Sequence, residues 1–178
     1  MYRKGLSIFV VILLLKLSFA VEEGKTLSAL PPDGLSLSGS WDCAGAFASK
    51  RTHRATFTGN VVLGGKWLEL DERDTEPATG YVGKYLIGYD TQQKRLVEFD
   101  ANNFGAAIYF STDGWQNHTL IMTSAVSEGE GAAYAANRFV YSITASNSFT
   151  VDWQISKTSD LAWTTADHLA CTRQKVSN

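Results

Sequence analysis

The chain predicts an all-β fold: a closed, antiparallel up-and-down barrel of about ten strands, with its first and last strands paired. Three observations carry this. From Gly39 onward, short runs rich in aromatic and β-branched residues recur about every ten positions with turn residues between them, and no segment holds a helical period. Trp41 and Cys43 near the start mirror Cys171 and Arg173 near the end, so one antiparallel register sets Trp41 across from Arg173 and Cys43 across from Cys171. Hairpins follow one another without long crossovers, which favours a closed meander over the competing β-sandwich.

The elements follow in order. Arg3 and Lys4 precede an apolar run, Leu6 to Phe19, interrupted only by Lys16, and Ser18-Phe19-Ala20 sets small residues at a cleavage site. Residues 1–20 therefore read as a secretory signal peptide, with the mature chain starting near Val21. About 14 apolar residues fall short of the roughly 20 that span a bilayer, so no membrane span is expected after cleavage. No Cys follows the cut, which argues against a lipid anchor. An exported protein, periplasmic or secreted, is expected, and there the default for Cys43 and Cys171 is a disulfide. Loss of Arg3, Lys4 and Lys16 moves the net charge from -2 to -5. An acidic chain without a basic cluster is a poor partner for nucleic acid.

Residues 21–37 read as a flexible linker, with Glu22-Glu23-Gly24 and Pro31-Pro32-Asp33-Gly34 and no apolar period. The barrel domain is 38–175, one domain large enough for a real core. Its strands are expected near 39–48, 53–62, 66–73, 79–89, 94–100, 105–112, 117–127, 137–145, 148–156 and 167–174. Gly64-Gly65 suits a tight hairpin and Asp90 to Lys94 a longer one. Asp113-Gly114 is the strongest short turn signal, of the kind used in type I′ hairpins. Ser146-Asn147 closes another hairpin, in which Ile143 faces Phe149, Tyr141 faces Val151 and Phe139 faces Trp153. There Phe149, Val151, Trp153 and Ile155 alternate with polar residues, so one face is buried and the other wet.

Gly39-Ser40-Trp41 on the first strand, with Arg173 on the last, resembles the calycin signature of lipocalins and their relatives, in which a strand-A Trp packs at the barrel base under a C-terminal Arg. Val62-Leu63-Gly64-Gly65-Lys66-Trp67-Leu68 followed by Gly80-Tyr81-Val82-Gly83-Lys84-Tyr85-Leu86-Ile87-Gly88-Tyr89-Asp90 is similar to the lipocalin-like domain of unknown function 1579. The likeness covers most of 39–174. It implies an exported bacterial protein and brings no assigned activity. His168-Leu169 on the last strand is similar to nitrobindin, a ten-stranded relative that holds haem through a histidine near its C-terminus. Two features depart from that pattern. The Gly-rich run leading to Tyr-Pro-Thr is absent, and His168 has the opposite parity to Leu169, Cys171 and Arg173, which turns it outward.

Among candidate chemical groups, Trp41 and Arg173 read as a structural clamp, a guanidinium on an indole worth roughly 0.5–2 kcal/mol. His53 and His118 lie on different strands without metal-ligand spacing, and no paired-cysteine or His-Glu-x-x-His motif appears, so no metal is expected. Glu69 with Asp71, and Glu98 with Asp100, each alternate on one strand face and suit either an acid–base pair or a solvated face. Inward Leu68 and Leu70 favour the solvated reading. Gly129-Glu130-Gly131 lacks the Lys and the helix of a phosphate loop and reads as a hairpin tip. Asn117-His118-Thr119 is a glycosylation sequon that matters only in a eukaryotic host.

The aromatic inventory is the positive signal: the whole chain has 5 Trp, 7 Tyr and 9 Phe. The inward set is expected to include Tyr85, Phe99, Tyr109, Met122, Phe139, Tyr141, Phe149 and Trp153. Such a lining suits a pocket for a small, mostly apolar ligand as well as it suits a filled core. The leading expectation is an exported binding barrel with no cofactor and no chemistry. The alternatives are a haem or tetrapyrrole protein using His168, an enzyme acting on a small exported substrate through carboxylates or tyrosines at the barrel mouth, and a filled structural barrel.

Overall fold

The computed structural model describes residues 26–127 and 132–175. The expected signal peptide and the Gly129-Glu130-Gly131 tip lie outside them. The fold is the closed ten-stranded antiparallel barrel. Its strands are β1 (Gly39–Phe47), β2 (Thr52–Val62), β3 (Trp67–Glu76), β4 (Val82–Asp90), β5 (Arg95–Asn102), β6 (Gly105–Ser111), β7 (Thr119–Ser124), β8 (Ala136–Ala145), β9 (Ser148–Ser156) and β10 (Thr164–Arg173). Each strand pairs with its neighbours in sequence, and β10 closes on β1. Closure leaves no free sheet edge, which removes the usual template for strand-on-strand aggregation.

The closing register is the one the spacing predicts. Trp41 pairs with Arg173 and Cys43 with Cys171, and a disulfide joins the two cysteines across 128 residues of chain. Trp41, Cys43 and Cys171 are buried, so the disulfide lies inside the wall. The hairpin of β8 and β9 also has its expected register, with Phe139 on Trp153, Tyr141 on Val151 and Ile143 on Phe149.

The two halves of the barrel interior differ. At the base, Trp41, Phe57, Leu68, Leu70, Leu120, Met122, Tyr141 and Phe149 fill the lumen. Phe149 meets the Trp41 ring edge-on at 4.8 Å. The Arg173 guanidinium sits 4.1 Å from the centre of the Trp41 ring and donates to the Ser36 carbonyl at 2.9 Å and to the Ser38 carbonyl. Gly39 holds a left-handed φ of 109° beside that guanidinium, and a Cβ there would meet Arg173 Nη1 at 2.5 Å. The glycine of the Gly-Ser-Trp motif therefore makes room for the clamp.

Residues 26–37 are not a free linker. Ala29 and Leu37 are buried, and Leu27 and Leu30 pack on the same core. The Trp41 indole donates to the Leu37 carbonyl at 2.9 Å and the Trp115 indole to the Ala29 carbonyl at 3.1 Å. This segment is a strap across the barrel base. It shows no apolar period because indoles outside it, one adjacent and one 86 residues away, capture its carbonyls and no ladder does.

Two turn expectations also change. Asp113-Gly114 lies inside a longer connection between β6 and β7. The tight two-residue turn there is Asn117-His118, both with left-handed φ (47° and 64°), closed by reciprocal bonds of 2.8 Å between Gln116 and Thr119. The strand expected at 117–127 is accordingly only Thr119–Ser124. Asn tolerates that region of φ/ψ space, whereas Asp113-Gly114 is spent on placing Gly114 against Leu27 of the strap.

Candidate functional site

The end opposite the strap is hollow. A cavity of about 390 Å³ lies between the mouth loops and the packed base. Every strand except β7 contributes to it. His53 comes from the start of β2, Glu72 and Asp74 from the end of β3, Tyr85 from β4, Asp100 from β5, Tyr109 from β6, Phe139 from β8, Trp153 from β9 and Asp167 from β10.

Strand parity explains why these side chains point inward. On β2, His53 shares a face with Ala55 and Phe57, all buried. On β3, Leu68, Leu70 and Glu72 point in, and Glu69 and Asp71 point out to bond Lys84 at 3.0 and 2.6 Å. On β5, Leu96, Glu98 and Asp100 point in. The solvated-face expectation thus holds for Glu69 and Asp71 and fails for Glu98 and Asp100, which are 0% and 6% exposed. The apolar anchors of β5 share parity with its acids, whereas those of β3 oppose Glu69 and Asp71.

The polar centre of the cavity is His53, only 3% exposed. Its Nδ1 bonds Asp167 Oδ2 and its Nε2 bonds Asp74 Oδ1, both at 2.8 Å. The Phe47 ring stacks on the imidazole at 4.4 Å. Burial alone would lower the imidazole pKa. The hydrogen bonds to Asp167 and Asp74, with the charges behind them, outweigh burial and raise it to about 9. At neutral pH His53 is an imidazolium donating from both nitrogens. Asp74 takes a further bond from Thr79 Oγ1 at 2.7 Å. Asp167 Oδ1 is buried without a partner.

Beside this bracket runs a tyrosine relay. Tyr81 OH lies 2.7 Å from Tyr85 OH, and Tyr85 donates to Glu72 Oε2 at 2.5 Å. Burial pushes Glu72 up to about 7, opposed by the Tyr85 bond and assisted by the charge of Asp74. A carboxyl poised there can exchange a proton at neutral pH. Asp100, bonded by Asn102 at 2.9 Å, is raised above its ordinary range by burial. Deeper, Glu98 accepts from Tyr141 at 3.1 Å, and burial lifts its carboxyl well above the usual range.

Around these groups stand aromatic rings. Phe139 meets Tyr85 at 5.4 Å and Tyr109 at 5.1 Å, both edge-on, and Tyr134 meets Trp153 edge-on at 5.9 Å. Edge-to-face pairs of this kind hold rings in fixed orientation.

The expected lining residues divide three ways. Tyr85, Tyr109, Phe139 and Trp153 line the cavity. Met122, Tyr141 and Phe149 point inward but belong to the packed base. Phe99 points outward, 43% exposed, and stacks on Trp67 at 6.4 Å. Its parity is opposite to that of Glu98 and Asp100, so it cannot reach the lumen. His168 is also outside, bonded through Nδ1 to Asp152 at 2.6 Å. It is therefore not placed to ligate a group within the barrel.

Sequence reasoning missed Glu72, Asp74 and Asp167, and it weighed His53 and Asp100 only to set them aside, the one for want of metal-ligand spacing and the other as part of a solvated face. The metal expectation changes with them: ligand atoms of His53, Glu72 and Asp74 lie within 4.8 Å of one another. Both His53 nitrogens already serve carboxylates, so an ion there would have to displace the Nε2 proton. The chain matches no known family profile and no curated protein.

Proposed function

We propose that this protein is an exported binding barrel that holds a small, mostly apolar molecule in the open half of its lumen. The observation that carries the reading is the cavity of about 390 Å³, walled by Phe139, Tyr85, Tyr109 and Trp153 and backed by a packed base. Concave sites with aromatic walls and a few convergent polar groups are the usual form of small-molecule pockets. Export is supported by the apolar leader and by the Cys43–Cys171 disulfide, which suits an oxidising compartment. The likeness of the Gly-Gly and Gly-Tyr-Asp stretches to the lipocalin-like domain of unknown function 1579 favours export and says nothing of the ligand.

The test is a titration with N-phenyl-1-naphthylamine, a neutral dye whose emission rises in apolar surroundings. Saturable binding at one dye per barrel is expected. The signal should disappear in Ala107→Trp, which sets an indole in the cavity wall while the outer surface stays unchanged. Unsaturable binding, or binding indifferent to Ala107→Trp, would overturn the reading.

A further inference from the structure

Resting on that binding reading, we propose that the ligand is cationic: an aromatic or alkyl body carrying a protonated amine, with the ammonium held by the carboxylates that line the lumen.

The argument starts from charge. Glu72, Asp74, Asp100 and Asp167 all line the cavity, and among the described residues no Lys or Arg does. The single cationic side chain in the lining is His53, and it is held between Asp74 and Asp167 at 2.8 Å on either side. One imidazolium offsets only one of the two aspartates that bracket it, before Asp100 and the partly protonated Glu72 are counted. The lumen is left with negative potential in a low-dielectric enclosure, where a charge is felt strongly. The same lining disfavours a fatty acid or any other anion, since no free cation waits for its head.

Hydrogen bonding points the same way. Asp167 Oδ1 is buried and receives no donor from the described residues. A buried acceptor left unpaired is costly, and a ligand N–H is the missing partner. Asp100 receives one bond, from Asn102. An ammonium has three donors and no acceptor, which suits carboxylates that have lone pairs to spare. The rings complete the case. Tyr109, Tyr134, Phe139 and Trp153 line the same cavity, and the face of such a ring attracts a cation as well as an apolar body. A bare metal ion fits less well. It would gain nothing from the rings and would have to evict the proton that His53 shares with Asp74.

The experiment uses matched skeletons that differ only in the head group, followed by calorimetry on the mature protein. Tryptamine is compared with tryptophol and indole-3-propionate, and 2-phenylethylamine with 2-phenylethanol. Each amine is expected to bind at least tenfold tighter than its alcohol, and the carboxylate more weakly than the alcohol. Asp100→Asn leaves the His53 bracket intact and should narrow the amine-to-alcohol ratio at least threefold. Adding Asp167→Asn should bring the ratio near one, with alcohol binding retained as proof that the lumen is intact. Equal affinity for amine and alcohol in the unaltered protein would overturn the cationic ligand and leave the binding reading standing. Failure of both alcohols and of the neutral dye would remove the binding reading itself. Zinc bound at one ion per barrel, displacing tryptamine and lost in His53→Gln, would overturn the amine in favour of a metal centre.

Discussion

Raising the pH from 6.5 to 9 should cost this barrel about 3 kcal/mol through His53 alone. The imidazole is bracketed by Asp74 from β3 and Asp167 from β10, faces Glu72 from β3 and carries Phe47 from β1 on its ring. Its folded pKa of about 9 exceeds the ordinary value of 6.5. A group raised in the folded state contributes fully below its unfolded pKa and loses that contribution as the pH climbs through the folded one. A displacement of about 2.5 in pKa, at about 1.4 kcal/mol for each, gives about 3 kcal/mol. Glu72, raised from 4.5 to about 7, also loses stability with rising pH, but its window lies between those two values. Glu72→Gln keeps an acceptor for Tyr85 and removes that earlier slope. The measurements are urea unfolding of Glu72→Gln from pH 6 to pH 10 and the NMR titration of the His53 ring in the same protein. Unfolding free energy should fall across 6.5 to 9, and the ring should titrate near the upper end. A ring midpoint at or below 6.5, or a flat unfolding free energy, would refute the bracket as a charged device.

Replacing both Cys43 and Cys171 by Ser should lower the unfolding free energy by about 4–5 kcal/mol on the chain-entropy account, because 128 residues separate them; urea midpoints measure it. The intact mass of the native protein under non-reducing conditions should show no free thiol. Arg173→Met should cost about 1–3 kcal/mol, since it removes the cation over Trp41 and the donors to Ser36 and Ser38, and a shift in tryptophan emission should accompany it. Gly59→Ala should cost about 1–3 kcal/mol or more, because its Cβ would stand 2.0 Å from the Leu37 carbonyl and must push the strap off the base. Hydrogen exchange confined to residues 27–37 would report that displacement.

The barrel and its closing register were legible because they rest on spacing alone. Trp41, Cys43, Cys171 and Arg173 require one antiparallel pairing, and the structure has it. The site was less legible, although part of its signal was present. The parity that sends Glu69 and Asp71 outward also sends Glu72 and Asp74 inward, and the Leu96, Glu98, Asp100 series on β5 reads the same way. What alternation cannot supply is height in the barrel. Met122 and Trp153 both point inward, yet one fills the base and the other lines the cavity. Nor can alternation see that His53, Asp74 and Asp167 converge, since 114 and 21 residues separate the histidine from its partners. The strap was misread for a related reason: what holds it are Trp41, Trp115 and Arg173, none of which lies within it.

The strap and the end of β10 share the barrel base. Arg173 reaches Ser36 and Ser38, Gln174 N donates to the Ser40 carbonyl at 2.9 Å, and the cavity opens at the far end. The described chain thus enters and leaves the barrel at the base, away from the mouth of the cavity. A label, a surface linker or a fused domain joined at either end would leave the mouth facing free solution. Immobilised through a terminal tag, the protein should take up ligand at the same rate as it does free in solution.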